Sequence, residues 1–219
     1  MQSIKPTLES WKNGLINQTK DTELCSIYIK HGSDKKGPNA SDHNYTNLYY
    51  PLFQSIRNQA FNFFELGLGS HDTSIQWHFN YPGCKTGASM YAAEEFFPSA
   101  SIYGADIDRN IHLNPGRIKT FFCDAKKADT IQAMWNLPEL KDKSFEIIMD
   151  DGCHEFDANY CFAVNSLPKL APQGLFVVED MWEPEKWEKE KMATIDKFNL
   201  DVFEIIQMRR SKFILMQVK

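Results

Sequence analysis

From residue 61 onward, short apolar runs alternate with segments in which apolar residues recur every three or four positions. Apolar runs of about six residues are typical of buried strands, and the longer spacing is typical of amphipathic helices. The pattern predicts seven strands, at residues 61–66, 101–106, 117–122, 145–150, 174–179, 200–207 and 212–218. It predicts helices at about residues 46–59, 87–97, 127–136, 156–170 and 185–198.

The order of these elements predicts the fold class. Strands separated by helices pair in parallel through right-handed crossovers. The last two strands are too close in sequence for a crossover and must form an antiparallel hairpin. We therefore expect a Rossmann-like, doubly wound α/β fold with a mostly parallel seven-stranded sheet and an antiparallel C-terminal hairpin. Residues 46–219 would form this domain, preceded by a polar, irregular segment at 1–45 in which 31–44 is a loop.

Composition and charge narrow the class of protein. The 219 residues are 42% hydrophobic and carry 24 Lys and Arg against 29 Asp and Glu, a net charge of −5. Such a chain can bury a core, and it has no global positive field for nucleic acid. Five cysteines without a C-x-x-C pair indicate reduced thiols, and no signal peptide or membrane span is apparent. We expect a cytoplasmic protein that binds neither membranes nor nucleic acid; its oligomeric state, including a homo-oligomer, stays open.

Acidic residues stand at or just beyond the ends of five of the predicted strands. In open α/β sheets, ligands bind at the carboxyl ends of the strands, so acids there indicate a binding site. The competing interpretation is that short polar residues merely form turns. The acids are Glu65, Asp106 with Asp108, Asp124, Asp150 with Asp151, and Glu179 with Asp180.

A glycine turn follows the first predicted strand. Gly67 and Gly69 would let the backbone approach a ligand closely, although a plain tight turn is the alternative. Asp72 stands where a dinucleotide fingerprint has its third glycine, which disfavours a nicotinamide cofactor. Asp106, with Asp108 beyond it, is placed to accept hydrogen bonds from ribose hydroxyls. The turn therefore suits a nucleoside that lacks a pyrophosphate.

These features resemble the class I S-adenosylmethionine-dependent methyltransferases, and among them the metal-dependent sugar O-methyltransferases that act on macrolides and other glycosides. The general resemblance rests on the glycine turn, on Asp106 and on the terminal hairpin. The narrower one rests on three motifs, which are His31-Gly-Ser-Asp-Lys35 with His43-x-Tyr45, Ile148-Met-Asp-Asp-Gly-Cys-His154, and Val177-Val-Glu-Asp180.

The resemblance implies a role for each motif. Asp151, Glu179 and Asp180 would hold a magnesium ion, and His154 would be the base; Cys153 replaces the usual Ser before it. The segment at 31–35 would be a flap over cofactor and acceptor, although a solvated charged loop is the alternative. Candidate S-adenosylmethionine contacts are Glu65, Gly67, Gly69, Asp106, Asp108, Asp124, Asp150, Ser33 and Lys35, and candidate substrate contacts are His31, Asp34, His43, Tyr45 and Tyr49.

Elementary chemistry supports this assignment. Three adjacent carboxylates form a hard-oxygen site suited to Mg²⁺, Mn²⁺ or Ca²⁺, and without a cation they would repel each other. We expect no cation of the protein itself to neutralise them. His154, three residues after Asp151, can take a proton from an acceptor hydroxyl together with Asp151 in the catalytic site, or it can merely cap the following helix. Tyr45 and Tyr49 line the flap or pack the helix.

The leading hypothesis is an S-adenosylmethionine- and metal-dependent O-methyltransferase that acts on a hydroxyl of a sugar, glycoside or polysaccharide precursor. An alternative keeps the cofactor and replaces the acceptor with a catechol-type small molecule. A third hypothesis is a non-catalytic nucleoside-binding module. The complete set of Asp151, His154, Glu179 and Asp180 argues against the third, because a degenerate site should have lost one of them.

Overall fold

The computed structural model describes residues 21–36, 43–76, 78, 83–208 and 211–219. Most of the predicted irregular segment, residues 1–20 and 37–42, lies outside the described residues, as do two residues of the predicted turn at 208–211. Seven strands form one sheet. They are β1 (Asn62–Leu66), β2 (Ser101–Asp106), β3 (Ile118–Phe122), β4 (Phe145–Asp150), β5 (Leu170–Val178), β6 (Leu200–Gln207) and β7 (Lys212–Val218).

Six α-helices are described beside these strands. They are α1 (Glu23–His31), α2 (Thr46–Phe53), α3 (Ala88–Phe96), α4 (Ala128–Trp135), α5 (Phe156–Ser166) and α6 (Pro184–Phe198). None of them is both long and apolar enough to cross a bilayer. The predicted helix at 46–59 ends early, at Phe53, because Ile56 N bonds to Phe53 O and starts a tighter turn.

Helix α1 was not predicted, since the segment at 1–45 was expected to be irregular. Thr22 caps its start by accepting from Cys25 N, and Gly32 ends it in the left-handed conformation at φ 81°. Leu24, Ile27 and Tyr28 are buried along one face. Spacings of three and four with a glycine just past the end were a readable helix signal in the sequence.

The strands run in the order β3-β2-β1-β4-β5-β7-β6. Strands β1 to β5 are parallel, and β7 is antiparallel to both of its neighbours. The predicted fold class, including the antiparallel C-terminal hairpin, is confirmed. The reversed strand is β7, which lies between β5 and β6, so that β6 forms the edge of the sheet.

Both faces of the sheet are covered by helices. Phe63 on β1 belongs to a core with α1, α2 and α3, whereas its neighbour Phe64 belongs to a core with α4, α5 and α6. The chain therefore leaves β1 toward one face and the adjacent strand β4 toward the other. Such a reversal opens a crevice at the carboxyl ends of the two strands.

Candidate active site

A cavity of about 760 Å³ lies over this crevice. Its wall combines the glycine turn after β1, the ends of β2 and β3, the turn after β4, and residues that follow β5. The segment at 33–35 and His43 close it from the N-terminal side. The predicted site residues on its wall are Ser33, Asp34, Lys35, His43, Gly67, Gly69, Asp106, Asp124, Asp151, His154 and Asp180.

The glycine turn is fixed from both sides. Gly67 N donates to Ala105 O at 2.9 Å, and Leu68 N donates to Asp106 Oδ2 at 2.7 Å. Gly67 has φ +87°, and a Cβ there would lie 2.0 Å from Asp151 O. The turn therefore presses its backbone against the end of β4, and only glycine fits this position.

The acids after β2 have different surroundings. Asp106 also accepts from Asp108 N at 2.8 Å, and burial raises the pKa of Asp106 despite these backbone bonds. Asp108 accepts from Ser70 Oγ at 2.5 Å, which lowers its pKa, and it does not reach the cavity wall. Asp106 is therefore the acid on this strand that can meet a ligand.

Lys35 enters the carboxylate cluster. Its Nζ lies 2.6 Å from Asp151 Oδ2 and 3.3 Å from Glu65 Oε1, and it donates to Glu179 Oε2. Lys35 is 2% exposed, and Glu65 and Glu179 are fully buried. The expectation that no protein cation would neutralise these acids was wrong. The chain supplies an ammonium group, brought from a loop 116 residues before Asp151.

The charges in this cluster do not balance. Burial alone would lower the pKa of Lys35, but Asp151, Glu179 and Glu65 raise it well above its usual range. Burial, followed by the charge of Asp151, raises the pKa of Glu179. One ammonium faces three acids, so negative charge is in excess. This excess raises the pKa of Lys35 and the pKa of Glu179 alike.

Asp180 is held by two hydroxyl groups. Tyr45 and Ser211 both donate to its Oδ1, and His43 Nδ1 lies 4.0 Å from the same oxygen. Burial opposes ionisation, yet the charges of His154 and His43 and these hydrogen bonds lower the pKa of Asp180. Asp180 is therefore ionised at neutral pH and faces the cavity.

Asp151, His154 and Asp180 form a compact group. Each offers one ligand atom, and these atoms lie within 4.8 Å of one another. His154 at φ 60° and Asp180 at φ 49° are left-handed without being glycine. Such backbone conformations are unfavourable and tend to occur at functional sites. Two hard oxygens and an imidazole thus converge on one point of the wall.

Several predicted site residues do not line the cavity. Their surroundings explain why: His31 is bonded to Glu95 at 2.7 Å on the surface, and Asp150 accepts from Gly152 N and Asn159 Nδ2 beneath the wall. Tyr49 donates to Glu179 from the core, as Tyr45 does to Asp180. The predicted residues placed behind the wall or away from it are His31, Tyr45, Tyr49, Glu65, Asp108, Asp150 and Glu179.

The sequence did not reveal other residues of the wall. Ser211 reaches Asp180 from the turn before β7, across 31 residues, and no local pattern marks it. Ser74, Gln76 and Lys85 come from the segment at 70–86, which matched no motif. Trp182 also lines the wall; the sequence favours an exposed helix face for Trp182 and the charged run after it, with the border of the acceptor pocket as the alternative.

Solved structures with the same architecture identify the type of this fold. The MycE methyltransferase of the mycinamycin biosynthetic pathway, in complex with Mg, SAH and Mycinamycin VI, matches all of this chain and 64% of its own, with TM-score 0.72 and 19% identity. A putative ribosomal RNA methyltransferase from Plasmodium falciparum matches 80% of the chain, with TM-score 0.55 and 12% identity. The chain has the class I methyltransferase fold. At sequence identities this low, the similarity of the chain to solved methyltransferases establishes its fold alone.

The sequence of this methyltransferase-fold chain resembles sugar O-methyltransferases. The 8-demethyl-8-alpha-L-rhamnosyl tetracenomycin-C 2'-O-methyltransferase of Streptomyces olivaceus is 31% identical over 162 residues, which is 72% of the chain and 37% of the relative. The Mycinamicin VI 2''-O-methyltransferase of Micromonospora griseorubida is 31% identical over 141 residues, which is 64% of the chain and 32% of the relative. The chain spans about a third of the length of both relatives. No protein-family profile matches it.

Proposed function

We propose that the protein is an S-adenosylmethionine- and divalent-metal-dependent O-methyltransferase that acts on a hydroxyl of a sugar, glycoside or polysaccharide precursor. The observation that carries this proposal is the convergence of Asp151, His154 and Asp180 within 4.8 Å on the wall of a methyltransferase-fold cavity. The names of the similar sequences, which specify sugar hydroxyls, support the acceptor class.

The cavity suits S-adenosylmethionine, which when bound supplies an electrophilic methyl group on its sulfonium. The left-handed Gly67 brings backbone, not side chain, to the cavity wall, and Asp106 presents a carboxylate beside it. Asp106 would accept hydrogen bonds from the ribose, and Asp124 would lie near the adenine. The presence of SAH in solved complexes with the same fold supports S-adenosylmethionine as the cofactor.

The donor set also suits a divalent cation, most simply Mg²⁺, which when bound acidifies a coordinated hydroxyl. Asp151 and Asp180 would hold it, because both reach the wall and hydroxyl bonds to one oxygen of Asp180 fix its carboxylate. Glu179 completes the predicted ligand set only if Lys35 withdraws, since its two oxygens are engaged by Lys35 and Tyr49. Mg in the solved complexes supports the metal requirement.

His154 would take the proton of the acceptor hydroxyl. It shares a short turn with Asp151, and its ring lies within 4.8 Å of a carboxylate oxygen of Asp151 and of Asp180. The shared turn would hold the imidazole and the cation ligand Asp151 in one geometry, so that His154 would take the proton while the acceptor oxygen faces the methyl group. We further propose that the acceptor is a small molecule or a glycan and that the protein is located in the cytoplasm.

A mass-spectrometric screen of methyl transfer tests the proposal. Methyl glycosides, nucleotide-linked sugars and catechol are incubated with S-adenosylmethionine, with added Mg²⁺ and after exhaustive chelation. We expect a methylated sugar, loss of product on chelation and recovery when Mg²⁺ is restored. Full turnover after chelation would refute the metal requirement, and methylation of catechol alone would refute the sugar acceptor.

A further inference from the structure

Trp182 is an exposed indole on the rim of the cavity. Trp182 is 55% exposed, whereas the neighbouring Met181 is 4% exposed. Large apolar side chains with such exposure are few among the described residues, and two of them line the cavity, Ile107 and Trp182. Ile107 follows Asp106 at the nucleoside end. Trp182 therefore provides exposed apolar surface at the other end, next to the metal and proton-transfer groups.

The residues on both sides of Trp182 are anchored by hydrogen bonds. Met181 N donates to Lys212 O at 3.0 Å, and Asp180 is held by Tyr45 and Ser211. On the other side the Glu183 carboxylate accepts from Phe156 N at 3.2 Å. A flat, exposed ring between anchored residues is partly preorganised to receive a ligand, because less freedom is lost on binding.

The ring lies beside the proposed base. The centroids of the Trp182 and His154 rings are 6.1 Å apart, and the rings are tilted by 35°. A pyranose ring stacked on the indole would lie next to the imidazole, with a hydroxyl at its edge able to face Asp151 and Asp180. A sugar has apolar C–H faces and polar edges, which matches an aromatic surface beside a polar cluster.

We propose that Trp182 is the stacking platform for the sugar ring of the acceptor and thereby sets specificity for glycosides. This inference rests on the proposed function. It adds the residue that recognises the body of the acceptor, as distinct from the residues that activate its hydroxyl.

The kinetic test compares three variants. Trp182→Ala removes the platform, Trp182→Phe keeps a smaller aromatic ring, and Met192→Ala removes an exposed apolar side chain that does not line the cavity. We expect Trp182→Ala to raise the glycoside KM by roughly threefold to tenfold, the range of one aromatic stacking contact, with kcat changed less than twofold. Trp182→Phe should restore most of the KM. The affinity for S-adenosylhomocysteine, measured by calorimetry, should stay the same in all three.

A binding test that needs no turnover accompanies it. The protein saturated with S-adenosylhomocysteine is titrated with methyl α-L-rhamnoside, methyl glucoside, methyl galactoside and catechol while tryptophan emission is recorded. We expect at least one glycoside to change the emission of the wild type, and this change to be lost in Trp182→Phe.

The outcomes separate the two proposals. A Trp182-dependent emission change without any methylated glycoside keeps the platform and overturns the proposed activity. Methyl transfer with a KM within twofold of the wild type in Trp182→Ala keeps the activity and overturns the platform. An equal KM effect in Met192→Ala, a response to catechol alone, or no emission change with any glycoside also overturns the platform.

Discussion

At the scale of single residues, Lys35 decides which carboxylates are available to a ligand. Its ammonium group is shared by Glu65, Asp151 and Glu179, and two of these acids are fully buried. A buried carboxylate without a cation would be strongly unfavourable. Asp180 has no contact of this kind with Lys35 and is instead held by hydroxyl groups. Glu65 and Glu179 thus contact Lys35 beneath the cavity wall, whereas Asp180 faces the cavity; Asp151 contacts Lys35 and also lines the cavity.

The proton-transfer assignment predicts a clear result for His154→Ala. Loss of a positioned general base should lower kcat by roughly 10² to 10⁴, with little change in S-adenosylmethionine affinity. Asp151→Ala should instead weaken metal binding, so that high Mg²⁺ restores part of its activity. Single-turnover rates across pH, at several Mg²⁺ concentrations, provide the measurement.

The pH profile gives a second check on His154. A protonated imidazole cannot accept a proton, so the wild-type rate should fall toward acid pH and the His154→Ala rate should lack that limb. If His154→Ala kept near-normal turnover across the whole range, the base assignment would be wrong. Activation of the hydroxyl would then depend on the cation site alone.

At the scale of elements, the turn between β1 and α3 controls the shape of the cofactor site. Gly67→Ala adds a Cβ that would lie 2.0 Å from the backbone oxygen of Asp151. Backbone cannot yield as a flexible side chain can, so the turn must move away from β4. We expect a stability loss of about 1 to 3 kcal/mol from the clash and an S-adenosylmethionine affinity at least tenfold weaker, measured by calorimetry.

Gly83→Ala is the matched control for this substitution. Gly83 also has a positive φ, +95°, but a Cβ there meets no atom of the described residues within 4 Å. It should show only the backbone strain of about 1 to 2 kcal/mol, with cofactor affinity within twofold of the wild type. Equal losses of affinity in both variants would mean that conformational strain, and not the contact with β4, governs the turn.

At the scale of the whole molecule, residues 21–36 belong to the same folded unit as the sheet. Leu24, Ile27 and Tyr28 of α1 lie in one core with Phe63 of β1, and Lys35 bonds to acids after β4 and β5. A boundary between residues 45 and 46 would therefore divide a continuous core. The segment serves packing and electrostatics in addition to any covering of the cavity.

Truncation tests this arrangement. A chain that begins at residue 46 should lose roughly 5 kcal/mol or more of unfolding free energy, because each buried side chain of α1 contributes about 1.5 to 3 kcal/mol. A chain that begins at residue 21 keeps α1 and Lys35 and is the control. Urea unfolding followed by circular dichroism compares the two. Equal midpoints would show that 46–219 folds as an independent domain.

The sequence by itself determined the secondary-structure order, the fold class and the acids at the strand ends. Apolar spacing along β1 to β7 and the glycine turn at Gly67 are local properties, so they can be read from neighbouring residues. The same reasoning could have found α1, whose Thr22 cap and Gly32 stop are equally local. The resemblance to methyltransferases rested on motifs of this short range.

Only the tertiary structure decided how the acids are used. The contacts of Lys35 with Asp151 and Glu179 join residues 116 and 144 positions apart, and Ser211 reaches Asp180 through the placement of β7 between β5 and β6. Burial, hydrogen bonding and charge balance depend on such distant neighbours, which periodicity does not encode. For the same physical reason Asp150 and Asp151, adjacent in sequence and on opposite sides of the cavity wall, could be told apart only once the sheet was assembled.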